Sequence, residues 1–451
     1  MFTKKRMFLH GVVIVFALLC AACSQPLAGL NDPPPTPSPT PWPTPAPQSI
    51  YVNPHISLGT ISPYVYGANY GPWMSIPLAL QEEARQSGIT FLRFPGGNWG
   101  DTHTLKPYHI DGLMMVSEML GGAEPSISVR FLDSTPEEAV EVMRYVKEQG
   151  YQVRYWSIGN EPSLYDEYDT ERFNREWRAF AEAMRAFDPD IVLMGPEIHQ
   201  YTGNPATDPR DAQGRLWMEE FLRANGDLID IVSFHRYPFP RSMTDPEATP
   251  DELLANSEEW DHIIPTLRQT VRDLTGRDLP IAVTEVNSYW SNTSSGETTP
   301  DSFYSALWWA DVLGRLIRED VEIVAYFALQ TPTSIGGYGL LARTDVRPTY
   351  YVYQLYKQFG DERVQAETDV PRLSAYAARR ADGALTLIVV NRAADAQRVP
   401  LQIVGVEQAT AEVWLFDRAH TAEQVASVTL QSGQAVDIPG EAVVLYVIHP
   451  E

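Results

Sequence analysis

Two glutamates stand out by position. Glu161 closes the run Trp156-Ser157-Ile158-Gly159-Asn160-Glu161-Pro162, and Glu285 closes Ile281-Ala282-Val283-Thr284-Glu285-Val286-Asn287. Each carboxylate ends a short apolar stretch of β-formers, and Pro162 bars a helix from running straight on through the first of them. They lie 124 residues apart. Two carboxylates that grip a sugar linkage from both sides are the machinery of glycosidic hydrolysis. One donates a proton to the leaving oxygen and the other attacks the anomeric carbon. A separation of about 5 to 5.5 Å gives retention of configuration and one of about 6.5 to 9.5 Å gives inversion. Such chemistry requires elements that bring both strand ends to one place.

The chain has those elements. Between residues 61 and 359, β-rich runs alternate with amphipathic helical stretches at about forty residues per repeat. The apolar runs predict strands at 65–69, 90–94, 127–131, 153–158, 191–195, 229–234, 281–286 and 323–329. Helices fall between them, such as 136–149, where Ala139, Val142, Met143 and Val146 share a face, and 171–187 behind an Asp169-Thr170 cap. Eight strand-helix units over about 300 residues read as an α/β fold of the (β/α)8 TIM-barrel type. A doubly wound sheet is the competitor, but no Gly-x-Gly-x-x-Gly fingerprint follows Asn69. In a barrel, reactive groups sit at the carboxyl ends of strands, and three units place Glu161 and Glu285 on opposite walls of one mouth.

After Phe359 the rhythm changes. Strands are predicted at 373–378, 384–391, 399–404, 411–416, 427–430, 435–438 and 442–448, with no long helix between them. This reads as a C-terminal antiparallel β-sandwich over 360–451, with the early β-like segment 50–60 expected to cross over and join it as a strand. The barrel then occupies 61–359.

At the N-terminus, Lys4-Lys5-Arg6, an apolar run from 7 to 19 and Ala21-Ala22-Cys23 form the three-part pattern of an export signal, residues 1–22. Ala21-Ala22-Cys23 resembles a lipobox, so Cys23 is the expected lipidation site and new first residue, with Cys20 where a leucine is usual. Residues 23–49 follow as a linker, and nine of the fifteen residues 33–47 are proline, an extended spacer. The expectation is an exported protein at the cell surface or outside the cell, touching the membrane only through its lipid anchor. Cys20 and Cys23 are the only cysteines, so the folded body has no disulfide and no thiolate chemistry. Net charge is −24, which repels phosphate backbones and makes nucleic acid an unsuitable partner. A cluster of His and Asp ligands on neighbouring strand ends, such as His-x-His near the first strand, is missing, so neither metal nor cofactor is expected. These patterns do not encode an oligomeric state.

Asn160-Glu161-Pro162 on the fourth strand, with Glu285 on the seventh, resembles the retaining glycoside hydrolases of clan A. Leu92-Arg93-Phe94-Pro95-Gly96-Gly97-Asn98 and Ser233-Phe234-His235-Arg236-Tyr237-Pro238 are similar to families 51, 39 and 44, which hold arabinofuranosidases, xylosidases and endoglucanases. Gly339-Leu340-Leu341 and Arg347-Pro348-Thr349-Tyr350-Tyr351 are similar to the segment leading such barrels into their last helix. The resemblance implies a retaining glycosidase of polysaccharide or oligosaccharide, with a carbohydrate as its partner. Glu161 would be the acid/base, the less exposed of the pair and the one that stays protonated, and Glu285 the nucleophile. Asn160 would bind the hydroxyl beside the reacting carbon, Tyr237 would hydrogen-bond the nucleophile, Arg93 would lie beneath it, and His235 would orient the acid or the sugar. Two departures bear on the substrate: Val286 stands where a tryptophan commonly follows the nucleophile, and Trp99-Gly100-Asp101 follows Asn98 in place of a tyrosine-bearing pattern. Asn98, Trp99 and Trp290 are the expected substrate contacts, with Trp73, Trp156, Tyr201 and Tyr338 as further candidate platforms and His103 and His199 as candidate cleft residues. The alternative is a catalytically silent carbohydrate-binding lipoprotein on the same scaffold, which has no need of two mutually repelling carboxylates.

Overall fold

The computed structural model describes residues 42–291 and 295–450, so the leader, Cys23 and the start of the proline-rich stretch lie outside the described residues. Among the described residues no helix is long and apolar enough to cross a membrane. The proline-rich stretch ends sooner than its composition suggests. Tyr51 donates to the carbonyl of Pro43 at 2.9 Å, and Gln48 N–H donates to Asp369 Oδ1 at 2.7 Å, tying this end to the C-terminal sheet.

Strand β1 (Ile50–Thr60) precedes the barrel, which closes from eight parallel strands. These are β2 (Gly67–Asn69), β3 (Phe91–Phe94), β4 (Glu124–Val129), β5 (Tyr155–Ile158), β6 (Val192–Ile198), β7 (Ile231–Arg236), β8 (Ile281–Val286) and β9 (Ile323–Tyr326). They are apolar almost throughout because helices cover the outer face while side chains fill the inside. Val65 belongs to a short 3-10 turn, Pro63–Val65, and not to the first strand, because Ser62 caps it by accepting Tyr64 N–H. The last strand stops at Tyr326, short of the expected 329.

The helices follow the sequence signals. Thr135 caps Pro136–Glu148 by accepting Glu138 N–H, and the helix buries Ala139, Met143 and Val146. Asp169 caps Thr170–Phe187 by accepting Arg172 N–H at 2.8 Å. The helix Phe303–Arg318 is buried on every side, Trp308 and Trp309 included, because it lies between barrel and C-terminal sheet.

The C-terminal strands are β10 (Glu362–Thr368), β11 (Leu373–Arg379), β12 (Leu385–Asn391), β13 (Gln397–Ile403), β14 (Gln408–Phe416), β15 (Thr421–Gln431), β16 (Ala435–Ile438) and β17 (Ala442–Pro450). They form one nine-stranded ladder, β15-β14-β17-β12-β11-β10-β1-β13-β16. Ile50, Val52, Val389, Leu401, Ile438 and Val444 share one core, so the ladder curls to enclose it instead of forming two separate sheets. The segment 50–60 takes its expected crossing seat, antiparallel to β10 but parallel to β13, the one departure from an antiparallel domain. Strand β10 escapes a pattern reading because Glu362-Arg363-Val364-Gln365-Ala366-Glu367-Thr368 carries a single large apolar residue. The junction is also polar. Asp311 is fully buried, accepts from Ser257, Arg315 and Tyr376, and lies 3.3 Å from Arg392, which holds its carboxyl well below the usual range despite burial.

Candidate active site

Backbone irregularities at the strand ends aim the polar groups. β6 pairs with β7 as Pro196↔Ser233 and then Ile198↔Phe234, so Glu197 is the extra residue of a bulge. β7 pairs with β8 as Phe234↔Val283 and then His235↔Glu285, which makes Thr284 a second one. Bulges of this kind re-aim side chains at barrel rims. Glu161, between β5 and Pro162, adopts φ 48° and ψ 49°, a left-handed conformation that costs a non-glycine residue on the order of 1 to 2 kcal/mol. Its N–H donates to the Glu197 carbonyl at 2.9 Å, which holds that turn.

Arg93, at the end of β3 and completely buried, organises the floor. Its Nη1 donates to Glu285 Oε1 at 2.6 Å and to Asn69 Oδ1 at 2.9 Å. Nη2 donates to Asn160 Oδ1 at 2.9 Å and contacts Glu197 Oε2 at 2.7 Å. Glu285 also accepts Gly97 N–H at 2.8 Å, and its Oε2 accepts Tyr237 O–H at 2.7 Å. Burial alone would raise the Glu285 carboxyl, but the charges of His235 and Arg93 and these donors hold it below its ordinary value, so it is ionised at neutral pH.

On the opposite wall, Glu161 Oε1 lies 2.8 Å from His235 Nδ1, and His235 Nε2 lies 3.2 Å from Glu197 Oε2. Burial works to keep His235 neutral, yet Glu285, Glu161 and Glu197 together raise it to about 9. Facing ligand atoms of Glu161, His235 and Glu285 lie within 4.8 Å of one another. One oxygen of Glu161 and one of Glu285 are thus within 4.8 Å, closer than a pair that must leave room for a water between them. The same spacing could bridge a cation. The donors argue against one, since Glu285 already accepts three hydrogen bonds and a protonated His235 has no lone pair to offer.

The pair opens into a cleft of about 1020 Å³ lined by Gly97, Asn98, His199, Gln200, Trp290 and Tyr338, among others. Most expected site residues converge there or just beneath it. Asn160 is beneath: it is 1% exposed, and its Nδ2 donates to Asn98 Oδ1 at 2.8 Å. His235 is fully buried, so it meets Glu161 from beneath and presents no face to the cleft. Glu161 is more exposed than Glu285, 13% against 4% for the side chains, which reverses the expected order. Trp99 does not line the cleft. It stacks on His103 with centroids 4.7 Å apart, and neither ring is among the residues lining this cleft. Trp156 is core, 2% exposed, and Tyr201 is buried as well. Trp290 is 42% exposed in the cleft, with its indole donating to the Pro240 carbonyl, and Tyr338 fixes its backbone by donating to its carbonyl at 2.6 Å. His199 lines the cleft beside Ser163, and burial with the nearby His235 charge lowers it to about 4, so it is neutral.

Two central carboxylates escape the sequence reading. Glu197 joins Arg93 to His235. Asp101 is buried, accepts the N–H of Asn160 at 2.8 Å and of Phe131 at 3.2 Å, and is raised by burial to about 6. Glu197 carried a signal, a carboxylate just past the apolar run that ends at Gly195, the same rule that singles out Glu161.

The chain thus joins an eight-stranded parallel barrel, with carboxylates at the ends of its fourth and seventh strands facing one cleft, to a β-domain that takes in a strand from before the barrel. The chain is 21% identical over 291 residues to the intracellular exo-α-(1→5)-L-arabinofuranosidase of Streptomyces lividans, covering 54% of this chain and 41% of that protein. It is 23% identical over 274 residues to heparanase of Bos taurus, covering 55% of this chain and 46% of that protein. The chain thus spans under half the length of these curated relatives. The fold matches the α-L-arabinofuranosidase of Thermotoga maritima in its arabinose complex with a TM-score of 0.73 at 18% identity, covering 89% of this chain and all of that one. No family model matches.

Proposed function

We propose that the protein is a retaining glycosidase that cleaves O-glycosidic bonds of a polysaccharide or oligosaccharide by double displacement. The observation that carries this reading is the facing of Glu161 and Glu285 within 4.8 Å across an open cleft, with different partners on the two sides. Glu285, held ionised by Arg93, Tyr237 and the Gly97 N–H, attacks the anomeric carbon. Glu161 protonates the leaving oxygen, then takes a proton from the water that releases the glycosyl group from Glu285. Trp290, exposed in the cleft, offers a ring face for a sugar, and Asn98 a polar contact. The relatives' names support a carbohydrate substrate, and the proposal extends to export, with Cys23 as the lipid anchor point.

A panel of aryl glycosides tests the reading: one or more members are hydrolysed, and no turnover on any of them or on natural glycans rejects it. Within the active set, Glu161→Gln lowers kcat/KM by about 10² to 10⁴-fold for poor leaving groups, which need the proton, and far less for dinitrophenolate, which does not. Equal losses across leaving groups would remove Glu161 from the acid role.

A further inference from the structure

We infer that Glu197 is a positioning residue that fixes a proton on His235 Nε2 and so leaves one exchangeable proton shared between His235 Nδ1 and Glu161 Oε1. Only the use of that proton rests on the glycosidase reading; its placement follows from geometry.

Glu197 is fully buried as the extra residue of the β6 bulge, with φ 58°. Its Oε2 accepts from Arg93 Nε at 2.9 Å, and its Oε1 accepts from Thr284 Oγ1 at 3.0 Å. Opposing its burial, Arg93 and His235 hold its carboxyl down to about 2, so Glu197 is a carboxylate that can only accept. The 3.2 Å contact with His235 Nε2 therefore requires the hydrogen on nitrogen. The other nitrogen lies 2.8 Å from Glu161 Oε1, a hydrogen-bond distance that calls for one proton between them. Imidazolium with carboxylate and imidazole with carboxylic acid are then two forms of one pair with the same net charge. The charged and titratable groups around His235 are Arg93 from β3, Glu161 after β5, Glu197 and His199 at the end of β6, and Glu285 from β8, whose Oε2 is 3.8 Å from Nδ1. His199 is neutral, so the carboxylates dominate.

In the first step the shared proton passes to the leaving oxygen as its bond to the anomeric carbon breaks and Glu285 bonds to that carbon. The pair is left as imidazole, still protonated at Nε2, and a carboxylate. In the second, water gives a proton back to the pair, its oxygen bonds to the anomeric carbon, and the bond to Glu285 breaks.

Glu197→Gln keeps size and hydrogen-bonding capacity but removes the charge. The proton is then held less tightly, and the alkaline limb of the kcat/KM profile moves down by at least about one pH unit. For poor leaving groups kcat/KM falls by about 10²-fold, and for dinitrophenolate it changes less than about threefold. Equal losses with an unmoved pH profile would mean a purely structural role and overturn the inference. A second measurement needs no substrate. In ¹⁵N-histidine-labelled wild-type protein, with His235 assigned by its loss in His235→Asn, Nε2 stays protonated from pH 5 to 8. An unprotonated Nε2 anywhere in that range overturns the inference even if the protein hydrolyses every glycoside offered, and a protonated one upholds it even if none is cleaved.

Discussion

Glu285→Ala leaves the fold in place and lowers turnover by about 10⁴-fold or more, with azide or formate restoring part of it. The fold survives because Arg93 keeps Glu197, Asn69 and Asn160 as partners once the Glu285 carboxylate is gone. Turnover does not, since the carboxylate that Arg93, Tyr237 and the Gly97 N–H hold in the cleft is gone, and Glu197, the other carboxylate on Arg93, is fully buried behind His235. The alanine leaves space in which a small anion can approach the anomeric carbon from the nucleophile's side, and with azide the product is a glycosyl azide of inverted configuration. Circular dichroism and rates with and without azide check the result. Undiminished turnover would remove Glu285 from the mechanism.

Arg93→Met costs about 3 to 5 kcal/mol of stability as well as nearly all activity. The substitution leaves two buried carboxylates, Glu197 and Glu285, without the guanidinium that lies 2.7 and 2.6 Å from them. Chemical denaturation of variant and wild type measures the first loss. The pH dependence gives a sign. Glu197 is depressed from 4.5 to about 2, so its contribution is present in full above about pH 4.5 and disappears as the pH falls toward 2. Arg93→Met weakens that depression, so the stability gap between wild type and variant is widest at neutral pH and narrows in acid. A gap independent of pH would place the role of Arg93 in packing alone.

The barrel was legible because its strands are buried on both faces and read as unbroken apolar runs, and Glu161 and Glu285 because each sits where such a run ends. The crossing of 50–60 into the C-terminal domain was legible from an apolar strand that the barrel could not use. Other features depend on three-dimensional proximity that no local pattern carries. The position of Glu197 past an apolar run was readable, but its aim at Arg93 and His235 comes from a bulge, and a register shift between β6 and β7 leaves no mark in composition. Trp99 has the right distance from a strand end, but its stacking on His103 is set by a one-turn helix, Trp99–Thr102. The relative exposure of the two glutamates follows from the left-handed turn at Glu161, which a sequence motif does not specify. Strand β10 was missed because its pairing on both sides, with β1 and β11, stabilises a segment whose own side chains barely favour a strand.

The stereochemistry of the first-formed product tests the central claim most directly. With any aryl glycoside that the protein cleaves, proton NMR followed from the first seconds distinguishes the anomers before mutarotation mixes them. Glu161 and Glu285, with an oxygen of each within 4.8 Å of the other, predict that the sugar appears first in its starting configuration. Initial release of the opposite anomer would contradict a covalent step on Glu285.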